Sequence, residues 1–175
     1  MNNDEHLRYP AGKFAAQDSY TPEEIKKYAD EIEALPAKIE ILASAFTQKQ
    51  LDTPYRDGGW TARQVIHHVA DSHMNAYVRF KWTLTEQLPT IKAYDEKAWA
   101  ETPEVKLDPA MSLALLKALH VRWVSLIIRL DTSSLQREFV HPDTMRHIKL
   151  ERLVAMYAWH GRHHYGHLKI IADKS

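Results

Sequence analysis

Apolar positions recur every three to four residues over several long stretches of this 175-residue chain, the pattern of amphipathic helices. Thr21-Pro22-Glu23-Glu24 opens the first: Thr21 caps, Pro22 sits in the first turn and Glu24 completes a capping box. The phase runs toward Ala34, Pro36 predicts a break or kink, and the pattern resumes from Ala37 to about Gln48. Leu51 to Trp60, with Pro54 and Gly58-Gly59, reads as a loop. Thr61-Ala62-Arg63-Gln64 is a second capping box and starts a helix to about Glu86. Gln87 to Asp108 is irregular and aromatic, with a short helix predicted at Asp95 to Ala100; a loop this long in a compact domain points to function. Asp108-Pro109 starts a third long helix that ends near Leu130. Arg137 to His141 and Arg146 to Leu150 flank Pro142-Asp143-Thr144 as a small β-hairpin, and a last helix runs from about Leu150 to Ala172. No repeat, low-complexity segment or linker interrupts this order. The expectation is one all-α domain over residues 1–175, an antiparallel four-helix bundle with a small β-hairpin before the last helix.

Charge and composition narrow the functions. Lys plus Arg and Asp plus Glu are each 23, so the net charge is zero with His neutral. No nucleic-acid partner and no membrane partner is expected from such a balance. No apolar run approaches the roughly 18 residues of a bilayer span. Met1-Asn2-Asn3-Asp4-Glu5-His6 lacks the basic and apolar regions of a signal peptide, and a cytoplasmic location fits. The absence of Cys excludes disulfides, thiolate ligands and cysteine nucleophiles, so any metal must be held by His and oxygen.

The chemistry concentrates in Trp159-His160-Gly161-Arg162-His163-His164-Tyr165-Gly166-His167. His160 and His164 are four residues apart and share a helix face, so two imidazoles there can share one ion. Gly161 stands where a metalloprotease helix would carry its Glu base, which removes that reading. On a helical wheel, Leu153, Tyr157, Leu168 and Ile171 define the apolar stripe, and His160 and His164 fall within it. His167 lies at the stripe's edge and His163 well to one side, so both are expected to be solvated or edge residues. Two buried rings at this spacing could instead be core histidines bonded to backbone or water. Leaving two titratable rings side by side without a partner is costly, and a metal removes that cost. In the second cluster, Ile66-His67-His68-Val69-Ala70-Asp71-Ser72-His73, the wheel places His73 near the centre of the stripe, His68 on its flank and His67 further away. Periodicity alone favours His73 as a third ligand without deciding against His68.

The stretch Tyr55-Arg56-Asp57-Gly58-Gly59-Trp60-Thr61 through His73, with Tyr94 to Trp99, His141-Pro142-Asp143 and Trp159 through His164, resembles the DinB/YfiT-like family, the YfiT branch in particular, over nearly the whole chain. The resemblance implies a four-helix bundle carrying one divalent metal on three histidines. One ligand follows W-(S/T)…H-(L/V)-A-D and two follow H-x-x-x-H in the last helix. It therefore implies His68, His160 and His164, choosing His68 over His73. Gly161-Arg162 departs from the family by making the last helix more flexible and more basic.

Three imidazoles with open coordination positions are the ligand count of a catalytic site. His donors suit Zn, Ni, Fe or Cu, so the donor set does not name the metal; the expectation is one ion per chain, Zn or Ni. Asp71, three residues beyond His68, is a candidate to accept the second N–H of that ring, or else an exposed surface acid. Trp60, Tyr94, Trp99 and Trp159 could wall a pocket or simply be core. No catalytic general base can be named, because Glu151 and Asp173, the acids of the last helix, lie far from His160. The resemblance implies a metal-dependent hydrolase acting on a small molecule. Its alternatives are an S-transferase using bacillithiol or a similar low-molecular-weight thiol, and a non-catalytic metal-binding or stress-linked interaction module. A homodimer is the expected assembly.

Overall fold

The computed structural model of the protein describes residues 4–174. Helices α1 (Glu5–Arg8), α2 (Pro22–Ser44), α3 (Gln48–Leu51), α4 (Ala62–Thr85) and α5 (Glu96–Trp99) precede a 3₁₀ turn at Pro103–Lys106. Then follow α6 (Ala110–Ile127), α7 (Thr132–Leu135), strands β1 (Glu138–His141) and β2 (Arg146–Lys149), and α8 (Leu150–Ala172). The long helices α2, α4, α6 and α8 form a four-helix bundle. Around its perimeter α2 packs on α6 and α8, and α4 packs on the same two, so α2 and α4 face each other across a diagonal. The hairpin pairs Glu138 with Lys149 and His141 with Arg146, and it feeds straight into α8.

Local chemistry sets the helix starts. Thr21, Thr47 and Thr61 each accept from the backbone N–H three residues on, while Glu24, Gln50 and Gln64 reach back to the capping residue. The expected break at Pro36 does not occur: α2 runs through it as one helix from Pro22 to Ser44. Burial explains the tolerance, since Leu35, Pro36 and Ile39 are all held against the bundle. Helix α6 corrects a second expectation. Taken by length and composition it could cross a membrane, with mean hydropathy 1.4 over Ala110–Ile127, although only 33% of that window is buried. Here it is the helix that closes the bundle between α2 and α4.

Two apolar clusters divide the core along its length. One gathers Phe80, Trp123, Ile127, Phe139 and Leu153; the other gathers Ile39, Val65, Ile66, Leu116 and Leu168. Each fully buried side chain of this kind contributes roughly 1.5–3 kcal/mol. Three of the long helices pass from one cluster to the other across a histidine: His73 in α4, His120 in α6, and His160 with His164 in α8. The polar band across the bundle is where its chemistry sits.

Candidate metal centre

His68 lies two turns into α4, and the geometry around that helix start is tightly tied. Thr61 N donates to Gln64 Oε1 at 3.0 Å, and Gln64 Nε2 donates onward to the Ala100 carbonyl at 3.0 Å and to Glu101 Oε1 at 2.9 Å. One capping box therefore fixes both the start of α4 and the end of the aromatic loop. Trp60, just before the cap, covers His68 with ring centroids 4.6 Å apart and lies nearly parallel to His164 at 6.3 Å.

Across from α4, helix α8 brings up His160 and His164. Ligand nitrogens of His68, His160 and His164 all lie within 4.8 Å of one another. His68 Nε2 and His160 Nε2 are 3.3 Å apart. An ion bonded tetrahedrally at about 2.05 Å separates its ligand nitrogens by about 3.3 Å. His68 and His164 are buried and His160 is half-buried, opening to a cavity. Burial pushes His68 down to about 4, aided by His163, and holds His160 and His164 well below the ordinary imidazole range. The rings are thus neutral and able to ligate at neutral pH, and a single divalent ion fits the donor set.

Behind these three rings stand others that sequence reasoning placed wrongly or did not find. His73, the wheel's choice for third ligand, is fully buried and touches His160 through Nε2···Nδ1 at 3.2 Å. His120 in α6 meets His73 at 2.9 Å. Its spacing with Leu116 and Trp123 was the available signal. His163 and His167 correct the expectation of solvated or edge residues, being 9% and 2% exposed. Their outer faces are covered by the N-terminal segment, where Tyr9 meets His163 and the Gly12 carbonyl accepts from Trp159 Nε1 at 3.0 Å, and by Tyr55, which stacks on His167 at 3.8 Å. A helical wheel cannot see such distant chain. His163, His164 and His167 form a second close trio, in which His167 Nδ1 faces His164 Nδ1 at 3.4 Å. His67 turns away to α6, with Nδ1 2.7 Å from Ser112 Oγ.

Asp71 is half-buried one turn beyond His68, with burial and then Glu104 pushing its carboxyl up to about 6. Its carbonyl accepts from Asn75 at 2.9 Å, and among the described residues its carboxylate makes no hydrogen bond to His68. The partners seen behind the candidate ligands are instead imidazoles.

The trio forms one wall of a cavity of about 740 Å³. Trp60 and Trp159 line it, whereas Tyr94 and Trp99 pair with each other at 4.6 Å outside its lining. The aromatic loop contributes Glu96, Lys97 and Glu101. Burial raises the Glu96 carboxyl, Arg79 pulling the other way. Neither acid stood out in the sequence, because only the folded loop carries them to the histidines.

A family model for the DinB superfamily matches residues 31–168. The chain belongs to the DinB superfamily. Among its relatives, YfiT of Bacillus subtilis (strain 168), named as a proposed metal-dependent hydrolase, is 49% identical over 93% of this chain and 92% of that protein. A protein of Bacillus cereus (strain AH820) with the same proposed activity is 52% identical over 93% of both chains. The solved structure of the Bacillus subtilis YfiT superposes with a TM-score of 0.94, at 47% identity and 97% coverage of each chain. It is described as a proposed metal-dependent hydrolase with an unusual four-helix bundle topology. Both relatives and the solved neighbour thus carry names that point to metal-dependent activity.

Proposed function

We propose that the protein is a metal-dependent hydrolase of small molecules, with one divalent ion, zinc or nickel, held by His68, His160 and His164. The convergence of three neutral imidazole nitrogens within 4.8 Å on the wall of a 740 Å³ cavity supports this most directly. A cavity of that size suits a small organic substrate. When bound, an ion on three imidazoles supplies a Lewis acid with open positions, able to bring a bound water's pKa to about 7.

The chain's own residues account for the rest of the work. Trp60 and Trp159 offer apolar walls to the substrate body and keep water from the buried sides of the histidines. Burial makes Glu96 hold its proton to higher pH than an ordinary carboxylate, which suits a group that exchanges a proton with a leaving group. Glu101 is held in place by Gln64. Lys97 supplies a positive charge on the same wall for an anionic substrate group.

The test has two parts. Metal content after dialysis is expected at about one ion per chain in the wild type and near zero in His68→Ala, His160→Ala and His164→Ala, while His163→Ala retains it. Full retention in His68→Ala overturns the ligand set. Zinc- and nickel-loaded protein is then screened against ester, amide and phosphoester substrates, alongside low-molecular-weight thiols paired with electrophiles. Hydrolysis lost in Glu96→Gln supports the proposal, and thiol-dependent transfer without hydrolysis replaces it.

A further inference from the structure

We infer that Pro36, His120 and His73 together set the ring state of His160, presenting its Nε2 without a proton at the metal position. The inference rests on His160 as a ligand and on no particular reaction.

The chain of cause starts with a missing proton. Pro36 lies inside α2 and has no backbone N–H. The carbonyl four residues earlier, that of Ile32, therefore lacks its helical donor. His120 supplies one: its Nδ1 is 2.5 Å from the Ile32 oxygen. A carbonyl only accepts, so this nitrogen must carry the hydrogen. A neutral imidazole has one N–H, which leaves His120 Nε2 bare. That nitrogen is 2.9 Å from His73 Nδ1, which must then be the donor. His73 Nε2 is bare in turn and lies 3.2 Å from His160 Nδ1, which donates to it. The last nitrogen in the sequence, His160 Nε2, is left with a lone pair, 3.3 Å from His68 Nε2. One acceptor on α2 thus determines the tautomer of three successive rings.

Each step is well enclosed. His73 and His120 are 0% and 1% exposed, so water does not compete for their nitrogens. Charging a ring in this enclosed space would be costly, and burial pushes His120, the first ring of the series, down to about 4. The series also ends in a dead end. A backbone carbonyl cannot pass a proton onward, so His73 and His120 are positioning residues and not a proton shuttle. Partners of this kind fix a ligand ring's orientation and raise its basicity, and their loss typically weakens metal binding 10–100-fold.

Two measurements test this. In metal-free protein with ¹⁵N-labelled histidine, ring spectra are expected to show the Nδ1–H form for His160, His73 and His120. An Nε2–H form at His160 overturns the inference, and this reading needs no variant to fold. Zinc dissociation constants supply the second arm. His120→Leu cuts the series and is expected to bind zinc 10–100-fold more weakly. His120→Gln keeps a donor for Ile32 and an acceptor for His73, and is expected within about threefold of wild type on that account. Equal losses in the two variants, or no loss in His120→Leu, overturn the relay. Pro36→Ala returns an N–H to compete for the Ile32 carbonyl and is expected to weaken zinc severalfold while raising thermal stability. Unchanged zinc affinity in that variant overturns the part assigned to Pro36. Hydrolytic activity enters neither arm, so failure here and failure of the proposed reaction are distinguishable.

Discussion

Gly161 packs directly on Leu35, and that contact sets how closely the ligand-bearing face of α8 approaches α2. A Cβ at position 161 would stand 2.7 Å from Leu35 Cδ2 and 3.3 Å from Cδ1. Leu35 is 4% exposed and belongs to the cluster below the histidine band. The residue that the sequence presents as a loosening of the last helix is therefore a close-approach point between His160 and His164.

Two effects oppose each other in Gly161→Ala. Helix propensity favours Ala by about 1 kcal/mol. Overpacking a filled contact costs about 1–3 kcal/mol. The contact lies between buried residues, so a net loss of about 1 kcal/mol is expected. Urea unfolding measures it, and a double-mutant cycle with Leu35→Ala should recover part of the loss. Additive effects, with no recovery, would show that the two residues do not clash.

Gly166 makes the corresponding contact on the other side of α8, where an added Cβ would stand 2.8 Å from Pro10 Cβ and Cγ. Pro10 belongs to the N-terminal segment that runs over Trp159 and His163. Gly166→Ala is expected to lift this segment without unfolding the bundle. Limited trypsinolysis followed by mass spectrometry reads the effect: cleavage after Lys13 should accelerate severalfold, with zinc binding retained. An unchanged cleavage rate would mean that the segment absorbs the methyl group.

These contacts mark the boundary of what the chain reveals one helix at a time. Caps at Thr21 and Thr61, the hairpin, the span of α8 and the His160/His164 pair all follow from residues within a few positions of each other. His163 and His167 do not, because the atoms that cover them come from residues 9–14 and from Tyr55. His73 sits at the centre of its helical stripe, as the wheel indicates, yet the centre of the stripe turns out to be the place behind the candidate ligands. His68, on the flank, is the ring that joins His160 and His164 in the close trio. Pro36 reads as a break because its carbonyl partner loss is local, while the donor that compensates is 88 residues away in α6.

Thr61 joins helix capping to the cavity. Its hydroxyl accepts from Gln64 N at 3.2 Å, and Gln64 in turn holds Ala100 and Glu101. Thr61→Ala is expected to cost about 1 kcal/mol, which lowers the melting temperature by roughly 2–4 °C in a chain of this size. Because the Gln64 side chain then loses one of its fixed partners, KM for a cavity substrate should rise more than kcat falls. A stability loss with KM unchanged would separate the cap from the loop.

His120 gives the pH dependence its sign. Burial lowers its folded-state value to about 4 from the ordinary 6.5, while its hydrogen bond to the Ile32 carbonyl opposes the shift. The unfolded chain therefore takes up a proton between these values that the folded chain refuses, and stability falls as pH drops from 6.5 toward 4. A shift of that size corresponds to about 3 kcal/mol for the one group. Above 6.5 both states are neutral at this position and the contribution is flat. His120→Gln removes the titrating group but keeps a donor and an acceptor, so its stability curve should be shallower than the wild type's by about one proton across the same window. Urea midpoints at half-unit pH intervals, in the absence of added metal, measure the slope difference. Parallel curves would assign the acid sensitivity to the other buried rings and remove His120 from it.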